Sequence, residues 1–303
     1  MLSALIQRAD DESDPDHQYG YVPQEAITIL FVALFATSTM LHLGQAVYFK
    51  TWWLLPTAVL CGIGEVIGWS ARVWSSINPF SDTPFLMQIS TIIISPTPLL
   101  AANFIIMARI IQILGPSYSR LAPRWFTMVF LPCDIIALVV QGAGGGIASS
   151  ADDKAGAALG ANIMLGGIVF QFVVIIVFSC LAGEFLQRYL QDRPLRQSQS
   201  TTQRGVLTRH LKLMLSALAF SCVLLFIRSI YRIIELSGGW DGRIIRTEVY
   251  FNVLDGAMII LAIYTMNVVH PGFFLKDTVS RYPNRIGGTS EMELVSDSKA
   301  HAV

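Results

Sequence analysis

Seven stretches of almost continuous apolar sequence, each about as long as a bilayer is thick, leave this chain of 303 residues one class of fold. A hydrocarbon core of roughly 30 Å is crossed by about 20 helical residues at 1.5 Å each. Runs of that length lie at about 26–47, 52–72, 85–111, 125–148, 159–181, 211–233 and 249–269. Their apolar character is unbroken instead of alternating residue by residue, which excludes a transmembrane strand barrel. Backbone surrounded by lipid must satisfy its own hydrogen bonds, so each run is expected to be a helix. The fourth run is the weakest, because it ends in QGAGGG, a poor helix interior. Only 14% of the residues are charged, where soluble domains carry about 25%. The expected fold is therefore an all-α polytopic membrane protein with seven transmembrane helices.

The remaining polar sequence is bunched, which sets the domain organisation. Residues 1–24 read as a short extracytoplasmic tail, 25–272 as the membrane domain and 273–303 as a disordered cytoplasmic tail. The acidic first 24 residues hold no long apolar core, so no cleavable leader is expected and the first span acts as the insertion signal. With the N-terminus outside, the cytoplasmic side receives fourteen of the 21 basic residues, among them Arg109, Arg120, Arg124, Arg188, Arg193, Arg204 and Lys212. The outer side receives Arg8, Arg72, Lys154, Arg243 and Arg246. That bias predicts an N-out, C-in chain. The loop at 187–210 is basic and rich in Gln, Ser and Thr; it reads as a flexible cytoplasmic segment, either a plain linker or a docking place for cytoplasmic regulators. A net charge of zero argues against a nucleic-acid partner. Cys61, Cys133, Cys180 and Cys222 all fall in apolar runs and read as small buried hydrophobes.

Charges inside the spans carry the functional reading. In CGIGEVIGWSARVW, Glu65 and Arg72 are seven residues apart, on one helix face but about 10.5 Å apart along it. Each must find its partner on another span. Arg228, Arg232 and Glu235 repeat the spacing in the sixth run, Glu248 and Asp255 in the seventh, and Asp134 stands near the middle of the fourth. A lone charge at the bilayer centre costs roughly 2.5–3.5 kcal/mol even on the milder insertion scale. These groups must therefore face one another or a water-filled cavity. Two readings are open: a static set of buried ion pairs that fixes helix register, or a polar cavity in the outer half of the membrane that meets a substrate head group. Gly144, Gly145 and Gly146, with Gly142, are expected to allow close backbone approach and to let the fourth span bend or unwind beside such a cavity. Gly62, Gly64 and Gly68 permit tight helix contacts around Glu65, and Pro56, Pro96 and Pro98 can bend their helices.

Enzyme signatures are missing from the sequence. GAGGGI at 142–147 ends an apolar run instead of following a strand, and no GxxxxGK[ST] is present. The five histidines form neither HxxxH nor HExxH, so neither a metal hydrolase nor a cofactor is expected. His270, in HPGFF, is expected to mark the end of the seventh helix.

Taken in order, the motifs YGYVP, GEVIGWSAR, PLLAANFIIMARI, FLPCDIIALVVQGAGGG, RSIYRIIELSGGWDGRIIRTEVYFNVLDGAMI and HPG resemble the fungal lipid-translocating exporter family, named for resistance to 7-aminocholesterol and including a sphingoid long-chain-base exporter. The resemblance covers about 19–272. It implies seven spans in a fungal plasma membrane or internal membrane, and movement or efflux of lipid-like amphiphiles such as sphingoid bases, sterol derivatives and hydrophobic toxins. It also implies the residues to watch: Glu65, Arg72, Asn103, Arg109, Asp134, Gln141, Gln171, Arg228, Arg232, Glu235, Glu248, Tyr250 and Asp255. Asn103 departs from the family, whose relatives commonly show AxxYxxLxR there. A seven-span sensor of lipid or toxin stress, signalling through the basic loop, is the alternative; a purely structural role for the charges is a third reading.

Overall fold

The computed structural model describes residues 21–151, 153–195, 204–238 and 243–275. Most of the two tails and part of the basic loop lie outside the described residues. Among the described residues, seven helical segments are long and apolar enough to cross a membrane: Glu25–Tyr48, Trp52–Ile77, Thr83–Leu114, Pro123–Ser149, Lys154–Leu190, Arg209–Ser237 and Glu248–Phe274. The first is a single helix, α1 (Glu25–Tyr48). The second enters through a π turn at Leu55–Val59, which absorbs Pro56, and continues as α2 (Leu60–Ile77). Pro96 breaks the third into α3 (Asp82–Ile94) and α4 (Thr97–Leu114). The fourth, fifth and sixth are α5 (Pro123–Ser149), α6 (Lys154–Leu190) and α7 (Arg209–Ser237). The seventh comprises α8 (Glu248–Phe251), a π segment at Asn252–Ala257, α9 (Met258–Val268) and α10 (Pro271–Phe274).

Local chemistry explains where these helices start. The Asp153 carboxylate accepts the Gly156 N–H at 2.9 Å at the head of α6, and the Thr208 hydroxyl accepts the Leu211 N–H at the head of α7. Helix α9 ends at Val268, just before His270 as expected, and the imidazole Nδ1 of His270 accepts the Gly272 N–H at 3.1 Å to cap α10, the short helix after it. The third span is the most enclosed of the seven and forms the centre of the bundle. In α7 a buried stripe runs Leu211, Met214, Leu218, Ser221, Leu225, Arg228, Arg232 and Glu235 at steps of three and four. That is the spacing of one inward face, so the charges of this span point into the protein.

The glycine run of the fourth span does not unwind: α5 stays helical through Gly144, Gly145 and Gly146. Backbone among apolar helices has no better hydrogen-bond partner than its own turn, so the run is neither bent open nor unwound here, while the close approach expected of it is present. The glycines serve closeness. A methyl on Gly144 would lie 2.6 Å from the Met164 backbone nitrogen of α6, while one on Gly146 would meet nothing within 4 Å. The glycines of α2 behave as expected: Gly62 lies against Thr39 of α1, and Gly64 and Gly68 against Ser95 and Ile92 of the third span.

Candidate functional site

Arginines and carboxylates from the sixth and seventh spans close on one another in the bundle interior. Arg232 holds Asp255 in a fork, Nε to Oδ1 and Nη2 to Oδ2, both at 2.8 Å. Its remaining nitrogen, Nη1, donates to Glu235 Oε2 at 2.7 Å, and the Tyr231 hydroxyl donates to Glu235 Oε1 at 2.7 Å. Arg228 Nε is 2.8 Å from Asp255 Oδ1. Such bidentate, charge-assisted pairing fixes geometry as well as energy. The π segment Asn252–Ala257 carries Asp255, and its wider turn rotates the next residues away from a regular helix register. Gly256 lets this segment pack closely on the first and second spans, since a methyl there would lie 2.5 Å from Trp69 and 2.6 Å from Phe31, which stack on each other at 4.0 Å.

The third span completes the coordination of Arg228 through a backbone defect. Pro96 has no N–H to give the carbonyl four residues back, that of Ile92. Arg228 Nη2 donates to this freed carbonyl at 2.7 Å. Glu65 sits within electrostatic reach of Arg228, Arg232 and Asp255. It is fully buried, and no donor is aligned on either of its oxygens. Two guanidinium groups are already balanced by Asp255 and Glu235, so Glu65 is the carboxyl left over.

Arg72 forms a second layer. It reaches Glu248 at 3.4 Å, donates to the Tyr21 hydroxyl at 2.8 Å and approaches Gln88 at 3.5 Å. Burial pushes the Tyr21 phenol above its usual range, against the opposing pull of the Arg72 guanidinium. Phe251 joins the layers: its ring centroid is 4.5 Å from the Arg72 guanidinium carbon and 5.1 Å from that of Arg232. Arg72 thus meets the seventh span through Glu248, as expected, whereas Glu65 lies near the charges of the sixth and seventh spans with no aligned partner of its own among the described residues. Tyr21, Gln88, Tyr231 and Phe251 were not singled out from sequence. Gln88, a lone amide in an apolar helix, was the one with a readable signal.

Other candidate residues lie apart from this network. Asp134, Gln141 and Gln171 form their own group between α5 and α6, with Gln141 Nε2 donating to Gln171 Oε1 at 3.0 Å and Gln171 Nε2 to Thr97 Oγ1 at 3.1 Å. Asn103 donates to Ser221 at 3.0 Å. Arg109 lies over the Trp53 ring at 4.8 Å. Tyr250 is exposed and lines a cavity of about 690 Å³ with Tyr231, Arg243, Ile234 and Leu254, between the sixth and seventh spans. A second cavity of about 370 Å³ lies between α6 and α7, walled by residues such as Phe178, Ala182, Leu215 and Phe226. Neither cavity is lined by Glu65, Arg228, Arg232 or Asp255. The network is thus paired and closed, with Tyr231 standing between it and the larger cavity. Among the described residues no group of three or more His, Cys, Asp or Glu side chains could hold a metal ion.

The family model "RTA1 like protein" matches residues 58–278. The chain is 27% identical to the "Sphingoid long-chain base transporter RSB1" of Saccharomyces cerevisiae (strain ATCC 204508 / S288c), across 93% of this chain and 81% of that protein. It is 25% identical to the "Lipid-translocating exporter-like protein RTA1" of Leptosphaeria maculans, across 84% of this chain and 51% of that protein. It is 29% identical to "Protein RTM1" of Saccharomyces cerevisiae, across 66% of this chain and 62% of that protein. No solved structure matches.

Proposed function

Because the chain belongs to the RTA1-like protein family, we propose that it is a membrane exporter that moves lipid-like amphiphiles across or out of the bilayer. The single observation that carries the reading is the placement of Tyr231. The residue lines the 690 Å³ cavity while its hydroxyl holds Glu235, itself bound to Arg232 and through it to Asp255. A cavity of that size falls within the roughly 300–1,000 Å³ of small-molecule sites. An amphiphile lodged there with its alkyl chain along Ile227, Ile230 and Ile234 can pull on the network through one side chain. Opening that network exposes paired charges to a head group, which is how binding at the cavity would favour a second state.

The basic-residue bias supports an outward N-terminus and a cytoplasmic C-terminus, which puts this cavity in the outer half of the membrane. We place the protein in the fungal plasma membrane, with the loop at 187–210 open to cytoplasmic regulators. Translocation needs no covalent chemistry, and we assign none. The test uses purified protein alone in liposomes and a fluorescent sphingoid base as probe. Movement faster than in protein-free liposomes, slowed by Tyr231→Phe and by Asp255→Asn, is the expected result. Equal rates with and without the protein, for that probe and for a labelled sterol, would sink the assignment.

A further inference from the structure

A second buried carboxyl lies outside the ion-pair network, and nothing in the exporter reading uses it. Asp134 occupies the twelfth position of the 27-residue helix α5, roughly 16 Å from one end and 22 Å from the other. It is 1% exposed, and no N–H or O–H is aligned on either oxygen. The neighbouring Gln171 amide is its polar contact on α6. That amide gives one N–H to Thr97 and accepts from Gln141, whose own carbonyl oxygen has no aligned donor, so a neutral amide N–H is the most Asp134 receives.

No counter-charge stands at this depth on the packed elements. Helix α3 carries one ionisable residue, Asp82 at its first position. Helix α4 carries Arg109 alone, and its guanidinium lies over Trp53. Helix α6 carries Lys154 at its first residue, Cys180, and Glu184, Arg188 and Tyr189 near its far end, where Glu184 pairs with Arg188 and Arg120. On α5 itself the other titratable groups are Arg124 near its start and the thiol of Cys133. Close approach of the two helices holds the carboxyl in place: a methyl on Gly167 of α6 would lie 2.8 Å from Gln141 and 3.2 Å from the Ala137 carbonyl. An uncompensated carboxylate in the middle of a bilayer is costly, and the ordinary resolution is that the group takes up a proton.

We propose that Asp134 is a proton-binding site, the carboxylate taking one H⁺ to become a neutral carboxylic acid when the bundle is closed as seen here and releasing it when the α5–α6 interface admits water. The ligand is the proton itself, and the site is separate from the network at Arg232. If the exporter reading is right, loading and release at Asp134 make lipid movement respond to a pH gradient; the site itself does not rest on that reading.

The experiment is infrared difference spectroscopy of the full-length protein in liposomes, between acidic and alkaline buffer, for wild type, Asp134→Asn and Glu65→Gln. The C=O region of the wild type should contain a protonated-carboxyl component that persists in Glu65→Gln and is lost in Asp134→Asn, over the background of the other carboxyls. Asp134→Glu, which keeps the carboxyl should the amide fold poorly, should return a shifted band. A C=O region identical in wild type and Asp134→Asn at every pH where the protein stays folded overturns the proposal. The same liposomes, loaded with a fluorescent sphingoid base, test the coupling: Asp134→Asn should move the probe at symmetric pH while its ratio of rates with and without a pH gradient falls to about one. A ratio unchanged from wild type overturns the coupling. If wild type moves no lipid yet the band tracks Asp134, the exporter reading fails and the proton site stands.

Discussion

Replacing Arg232 with glutamine tests whether the network is a coupled unit. Three charge-assisted hydrogen bonds disappear, two to Asp255 and one to Glu235. Asp255 then keeps only Arg228, and Glu235 keeps only the Tyr231 hydroxyl. Removing one partner of a buried ion pair costs about 3–5 kcal/mol, mostly because the other charge is stranded. Arg232 serves two carboxylates at 1% exposure, so the upper half of that range is expected. At about 1.4 kcal/mol per decade, this shifts the folded population by roughly a thousandfold. Asp255→Asn leaves Arg232 with Glu235 alone and Arg228 with only the Ile92 carbonyl, and should cost a similar amount. The double variant strands less than either sum implies, so the two changes should fall short of additivity by about 2 kcal/mol, within the range known for residues sharing one network. The assay is SDS-induced unfolding in mixed micelles, monitored by tryptophan fluorescence, with Trp69 buried beside the network. Additivity within about 0.5 kcal/mol would refute the reasoning, because it would make Arg232 and Asp255 independent groups.

Three further outcomes are expected from the same structure. Gly144→Leu drives a side chain into the Met164 backbone and should destabilise by at least the roughly 1–3 kcal/mol of an overpacked interface, whereas Gly146→Ala, which meets nothing, should gain up to about 1 kcal/mol of helix propensity in the same unfolding assay. Phe251→Leu removes the ring shared by Arg72 and Arg232 and should cost about 1–3 kcal/mol, while Phe251→Trp, which keeps a π face, should recover part of it. Burial raises the Tyr118 phenol above the ordinary tyrosine value of about 10, and a hydrogen bond to Asp192 and that residue's charge push the same way. A raised value in the folded state means stability held in full below about pH 10 and lost as pH climbs through the folded value. Asp192→Asn should bring the Tyr118 phenolate absorbance, identified by subtraction of Tyr118→Phe, to lower pH.

The spans were legible because hydrocarbon thickness and continuous apolarity leave little choice, and the charges were legible because lipid will not tolerate them alone. Helix ends were less so. Helix α6 runs on to Leu190, past where its apolar run stops at 181, since Glu184 pairs with Arg188 across one turn and with Arg120 instead of ending the helix. Hydropathy gives depth but not direction around the helix axis. Asp134 and Glu65 therefore look alike in sequence, yet one faces α6 and the other the arginines of α7. Nor does composition reveal a π turn. Glu248 and Asp255 sit seven apart, as on one regular face, but the widened turn sends the first to Arg72 and the second to Arg228 and Arg232.

The two buried polar groups meet at one place, the break at Pro96. On one side of it Arg228 takes the Ile92 carbonyl that proline leaves without a donor; on the other, Thr97 receives the Gln171 amide. Five residues thus connect the ion network to the neighbourhood of Asp134. Pro96→Ala supplies an N–H that competes for the Ile92 carbonyl. The gain of an ordinary backbone bond, about 0.5–1.5 kcal/mol, is set against loss of a charged one of about 1.5–3 kcal/mol. A continuous third span would also shift Thr97 relative to Gln171, so Pro96→Ala and Gln171→Leu should depart from additivity by about 0.5–2 kcal/mol, the usual size of coupling carried through packed elements. Strict additivity in the unfolding assay would mean that Pro96 joins the two groups in space without joining them in energy.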